Sequence, residues 1–122
     1  MTRILVVEDE PDIMETTAEL LRLHGFEVDT VAEIRGVVAL LASNPPDLLL
    51  QDCHMPALDL ARHIKAIRAA PGLQRLPIIL FTASIEAAGF WKNVGADGLV
   101  RKPFDISSLV ALVRQKTQAV VH

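Results

Sequence analysis

Short apolar runs that each end on a polar group set the tightest limit on what this chain can fold into. Ile4-Leu5-Val6-Val7 runs into Glu8-Asp9, Leu48-Leu49-Leu50-Gln51 into Asp52, Ile78-Ile79-Leu80-Phe81 into Thr82, and Leu99-Val100-Arg101 into Lys102. Runs of this length, bounded by turn signals and separated by helical stretches, read as buried parallel strands. Open parallel α/β sheets bind ligands in the crevice outside the carboxyl ends of their strands. Glu8, Asp9, Asp52, Thr82 and Lys102 are therefore expected to converge on one sheet edge. Acids, a hydroxyl and an ammonium together suit a divalent cation and a phosphoryl group.

The segments between these stations have helical spacing. Pro11 suits a first helical turn; Ile13, Met14, Thr17, Leu20 and Leu21 then repeat at helical intervals until Gly25. Phe26 to Val31 alternates as a second strand, and Ile34 to Leu41 reads as a second helix ended by Asn44-Pro45-Pro46. Asp47 to Asp52 forms the third strand. Leu60, Ile64, Ile67 and Arg68 trace a third, amphipathic helix closed by Pro71-Gly72, and Pro77 to Phe81 the fourth strand. Ser84 to Val94 predicts a poorer fourth helix, because Gly89 costs about 1 kcal/mol relative to Ala in a helix interior. Gly98 to Arg101 is a short fifth strand. Asp105 is placed to cap a last helix buried through Ile106, Leu109, Val110 and Val113. Five βα units predict one domain over residues 1–122: a doubly wound, flavodoxin-like parallel sheet with helices on both faces. Its strand order would be 2-1-3-4-5, with the switch point between strands one and three.

At 122 residues the chain can bury a real core. A net charge of −3 with no Lys/Arg block offers nothing for direct nucleic-acid binding. One cysteine, Cys53, cannot make an intramolecular disulfide, and no zinc spacing is present. The first apolar run meets Glu8 too soon for a signal-peptide core, and no segment approaches a membrane span, so a cytoplasmic location is expected.

The stations carry specific chemistry. Carboxylates from neighbouring strands repel, and at least one pKa rises unless a cation fills the site. A hard ion such as Mg²⁺, or Mn²⁺, held by oxygen ligands resolves that conflict. The blander view of Glu8-Asp9 as a solvated pair at a helix start weakens once Asp52 lies at the adjacent strand end. Asp52 is the candidate nucleophile, since aspartate forms an acyl phosphate when nearby cations neutralise the incoming oxygens; as a turn residue it would be ordinary. Lys102 precedes Pro103, which favours an extended backbone there and limits where the ammonium can point. It is expected to pair with Asp52 at rest and with phosphate afterwards. Thr82 offers a hydroxyl, although threonine also suits strands by propensity.

In this order and spacing the residues resemble the response-regulator receiver domain of two-component signalling, of the chemotaxis-regulator kind. The likeness covers nearly the whole chain. It rests on Ile4 through Glu10, Asp47 through Asp52 with Met55-Pro56, Pro77 through Ala83, Gly95-Ala96-Asp97, and Lys102-Pro103-Phe104. The resemblance implies that Asp52 takes a phosphoryl group from a histidine kinase or phosphotransfer protein. It implies a metal held by Asp9, Asp52 and the His54 backbone carbonyl, with Glu8 acting through water. Thr82 and Lys102 would grip the phosphoryl oxygens. His54 and Ser84 match positions flanking the path of attacking water and are candidates for tuning the lifetime of the modified state. Phe90, Trp91 and Leu99 mark a candidate partner or homodimer face, since the family uses its fourth-helix, fifth-strand, fifth-helix surface for output. The domain would be a switch acting on a downstream target or output domain, catalysing its own phosphorylation and dephosphorylation rather than turning over a metabolite.

Some positions depart from the family pattern. Leu99 stands where an aromatic is usual, Gln51 where an apolar residue is commoner, and the stretch from Thr82 to Gly95 is short. Ala57-Leu58-Asp59-Leu60 lacks the usual glycines, which predicts a changed loop because non-Gly residues resist positive φ. Leu99 and the altered fourth helix motivate an alternative, a receiver-fold interaction module that works without phosphorylation. A metal-dependent phosphohydrolase would want a second acid where His54 stands. The sequence as given ends at Val120-Val121-His122 without an output domain, leaving a free-standing receiver and a part of a longer regulator both open.

Overall fold

The computed structural model describes residues 1–83 and 91–118. Strands β1 (Arg3–Val7), β2 (Glu27–Val31), β3 (Leu48–Asp52), β4 (Ile78–Thr82) and β5 (Gly98–Arg101) form one parallel sheet in the order β2-β1-β3-β4-β5. The helices among the described residues are α1 (Pro11–Leu23), α2 (Val37–Ser43), α3 (Leu60–Ala69) and α4 (Ile106–Gln118). The expected strand order and switch point are both present.

Two apolar layers sandwich the sheet. Ala18 and Leu21 of α1 and Leu109, Val110 and Val113 of α4 pack on Ile4, Val6, Leu48, Leu50, Ile79 and Phe81. Val37 and Leu41 of α2 and Ile64 and Ile67 of α3 pack on Leu5, Val7, Leu49, Ile78 and Leu80. Alternate residues of the central strands thus feed opposite layers, and β3 and β4 are buried at every position. None of the described helices is long and apolar enough to cross a membrane.

Local chemistry explains where elements start and stop. The amides of Gly25 and Phe26 turn back onto the carbonyls of Arg22 and Leu21, with Gly25 left-handed at φ 92°, so α1 ends in a Schellman closure. Asp59 caps α3, its carboxylate accepting from the Arg62 amide. Asp105 opens α4: its carbonyl accepts from the Leu109 amide and its carboxylate from the Ser108 hydroxyl.

Two sequence expectations need correction, and a third lies largely outside the described residues. The second helix begins at Val37 rather than Ile34, because Gly36 takes φ 81° and breaks the helical path before it. The loop after Met55-Pro56 keeps a left-handed residue without a glycine. Ala57 sits at φ 66° in a turn closed by the Leu58 amide on the Met55 carbonyl. The predicted fourth helix, with Ser84 and Phe90, falls largely outside the described residues, and Trp91 through Gly95 form turns rather than helix. The Lys102–Pro103 peptide is cis.

Candidate functional site

Register alone brings the polar stations together. Val7 lies opposite Gln51, Asp52 opposite Phe81, and Thr82 opposite Arg101. The residues one step further along β1 and β5, Glu8 and Lys102, therefore flank Asp52 and Thr82 at the carboxyl edge. Backbone bonds secure the rim: the Glu8 amide donates to Val31, and the Lys102 amide to Thr82.

Lys102 sits at the centre of the charges. Its Nζ lies 2.7 Å from Glu8 Oε1 and 3.2 Å from Asp52 Oδ1, with the Phe81 ring centroid 4.6 Å away. The sequence expectation of a Lys102–Asp52 pair holds, and Glu8 joins as a second, nearer partner. Glu8 is wholly buried and Asp52 only 3% exposed, so neither acid can rely on water for its solvation. Burial, and then the Asp52 carboxylate beside it, push the Glu8 carboxyl up to about 7 against the pull of Lys102. Burial alone would lower the Lys102 ammonium, but its two carboxylate partners outweigh burial and hold it above its ordinary value.

Asp9 is half-buried at the mouth, its amide donating to Glu8 Oε2 at 3.0 Å. One carboxylate oxygen from each of Glu8, Asp9 and Asp52 lies within 4.8 Å of the others. Oxygens about 2.1 Å from a single octahedral centre stand up to ~4.2 Å apart, so this spread nearly matches one hard cation. Three acids against one ammonium also leave a charge deficit that a divalent ion would fill. The donor set therefore fits Mg²⁺ or Mn²⁺.

His54 turns the chain back over Asp52, its amide 3.3 Å from Asp52 Oδ1, while its side chain is exposed. Thr82 is fully buried at the end of β4, and burial pushes the Cys53 thiol up to about 11. Trp91 and Leu99 are half-buried and pack against the layer beneath α2 and α3, away from the acids. Ser84 and Phe90 lie outside the described residues.

Sequence reading missed His63, which α3 buries against Gln51 with His63 Nε2 and Gln51 Oε1 3.0 Å apart. The available signal was a polar residue on the apolar stripe of α3, beside Ile64 and three residues after Leu60. Two surface grooves adjoin the site. One of about 510 Å³ runs between α1 and the segment after β5, lined by Ile13, Thr17, Leu20, Lys102, Pro103 and Phe104. The other, about 580 Å³, lies along β5 and α4 and includes Leu99, Val100, Phe104 and Leu112.

Comparison with known proteins agrees with this geometry. The family model for the response regulator receiver domain matches residues 4–114. The phosphate regulon transcriptional regulatory protein PhoB of Rhizobium meliloti is 36% identical over 93% of this chain and 51% of its own length. The chain spans about half the length of the curated transcriptional regulators it matches, or less. The chemotaxis response regulator CheY4 of Vibrio cholerae superposes with a TM-score of 0.85 at 28% identity, covering 95% of this chain and 98% of that one. The receiver domain of sensor histidine kinase PA1611 from Pseudomonas aeruginosa, crystallised with a magnesium ion in its active site cleft, gives 0.85 at 29% identity. That match covers 95% of this chain and 97% of the Pseudomonas one.

Proposed function

The chain belongs to the response-regulator receiver family, and from that premise we propose that it is a phosphoacceptor switch of two-component signalling. Asp52 accepts a phosphoryl group from the phosphohistidine of a histidine kinase or phosphotransfer protein. The single observation that carries this reading is the burial of Asp52 between the acids Glu8 and Asp9 and the ammonium of Lys102.

The transfer moves one group between two side chains. An Asp52 carboxylate oxygen bonds to phosphorus, the phosphorus–nitrogen bond of the donor breaks, and its electron pair stays on the imidazole. Lys102 already bridges Asp52 and Glu8, so a short movement carries its ammonium to a phosphoryl oxygen. The Thr82 hydroxyl, at the end of the adjacent strand, supplies a second contact. Glu8, Asp9, Asp52 and the His54 carbonyl would hold Mg²⁺ or Mn²⁺, which neutralises charge on the incoming group. The magnesium-bearing Pseudomonas receiver supports that assignment by similarity.

Signal and output follow from the same geometry. The donor must approach the carboxyl edge, and the apolar groove beside Lys102 is suited to receive it. Once Lys102 turns to phosphate, the ion pair that ties β5 to β1 weakens, which couples the modification to β5 and α4. The groove along those elements, with Leu99, is the proposed face for a downstream target, an output domain or a second copy. The protein is then a cytoplasmic switch that carries out its own phosphorylation and dephosphorylation, without direct nucleic-acid contact or membrane attachment by this domain. The complete set of acids, hydroxyl and lysine argues against an interaction module independent of phosphorylation.

Incubation with Mg²⁺ and acetyl phosphate, followed by intact mass measurement, tests the reading. One phosphoryl adduct is expected, lost with chelator and absent in Asp52→Asn. An adduct that survives that substitution, or none on the parent chain, would overturn it.

A further inference from the structure

The peptide that follows the proposed nucleophile is held from both sides. On one side the Cys53 amide donates to the Phe81 carbonyl of β4 at 3.1 Å. On the other, β1 has nothing to offer. Its ladder with β3 ends at Val7 opposite Gln51, and its next two amides turn to Val31 and to the Glu8 carboxylate. The Asp52 carbonyl is taken instead by the side chain of Gln51, whose Nε2 donates to it at 3.0 Å and to Met55 Sδ at 3.6 Å.

This contact settles the orientation of the amide. A carbonyl can only accept, so the nitrogen of Gln51 faces Asp52 and its oxygen faces His63 Nε2, 3.0 Å away. Amide oxygen also only accepts, so His63 carries its hydrogen on Nε2. A chain of hydrogen bonds thus runs from α3 through His63 and Gln51 to the Asp52 carbonyl, inside a layer otherwise made of Leu49, Met55, Ile64 and Leu80. Burial lowers the His63 pKa, which favours the neutral ring, and the neutral Nε2–H tautomer makes the same bond.

Stability explains only the Gln51 end of this arrangement, which satisfies the Asp52 carbonyl, and not the buried bond to His63. A buried hydrogen-bonded couple gains little over two apolar side chains of similar size, whereas losing one partner is expensive. What the pair adds is direction. It fixes the plane of the Asp52–Cys53 peptide, and with it the carboxylate and the turn that brings the His54 amide back onto Asp52 Oδ1.

We propose that Gln51 and His63 are positioning residues for phosphoryl transfer to Asp52, clamping the peptide on which the nucleophile is mounted. The proposal rests on Asp52 being the acceptor and adds residues that touch neither the phosphoryl group nor the cation.

The decisive variant is the double substitution Gln51→Leu with His63→Leu, which removes both polar side chains together, so that only the Asp52 carbonyl loses a donor. Urea denaturation is expected to show it folded, with a midpoint lowered only by the loss of the one donor to the buried Asp52 carbonyl. Phosphorylation by acetyl phosphate at saturating Mg²⁺ is expected to slow roughly tenfold or more, the scale on which small misplacements of a reacting group are felt. Amide exchange supplies a readout that stability alone would not move. His54 should lose more protection in the double variant than Leu49 and Leu50, whose rates follow the global stability. Wild-type phosphorylation speed in a folded double variant, with His54 losing no more protection than Leu49 and Leu50, would overturn the clamp and leave Asp52 as acceptor. Absence of any adduct on the parent chain would instead defeat the acceptor reading and the clamp with it.

Discussion

Glu8 supplies a pH dependence that can be worked from the structure. Burial and the neighbouring Asp52 carboxylate raise its pKa from an ordinary 4.5 to about 7 in the folded chain. Between those values the folded state holds a proton that the unfolded state has released. Stability therefore falls with rising pH, by roughly 1.4 kcal/mol per unit. The loss begins above pH 4.5, continues to pH 7 and is complete beyond it. Across the whole window it reaches ~3 kcal/mol. With a urea slope near 1.5 kcal/mol/M, that is a midpoint shift of about 2 M. The assay is urea denaturation from pH 5 to 8 in chelator, on the parent and on Glu8→Gln, whose amide has no such proton. The two should be similar at pH 5, and the parent should lose about 2 M relative to the variant by pH 8. Saturating Mg²⁺ should flatten the parent profile, because the cation then compensates the charge that the proton had neutralised. Parallel profiles in chelator would refute the reasoning and show that Lys102 alone compensates Glu8.

Other outcomes follow from single residues. Ala57 holds φ 66°, which costs an L-residue ~1 kcal/mol or more. Ala57→Gly should raise the melting temperature by about 2–4 °C after the added freedom of glycine in the unfolded chain is subtracted. Lys102→Met leaves two buried acids without their cation, so metal-free stability at pH 8 should fall by ~3 kcal/mol. The same variant should bind Mg²⁺ more tightly by titration calorimetry, since a competing positive charge is gone. Cys53 is buried and its thiol is pushed up to about 11, so a disulfide reagent at pH 8 should label it only after denaturant is added.

The sequence by itself determined the alternation of strand and helix, the order of the strands and the edge at which the polar stations meet. Those features are local or periodic. A run such as Leu48-Leu49-Leu50 is buried on both faces wherever it goes, and a residue ending a parallel strand must emerge at the carboxyl edge. Asp52 and Lys102 were legible for that reason. Tertiary structure decided how the charges were shared. Spacing along a chain carries no information on whether Lys102 Nζ rests nearer Glu8 at 2.7 Å or Asp52 at 3.2 Å. It likewise decided that Ala57 would bear the left-handed turn, because closing the Met55–Leu58 turn outweighed a residue's own preference. The bond from Gln51 to His63 joins positions 12 residues apart on different elements. Each looks like a misplaced polar group until packing sets them face to face. Periodicity places residues at the edge of a sheet; only packing determines which polar atoms satisfy one another there.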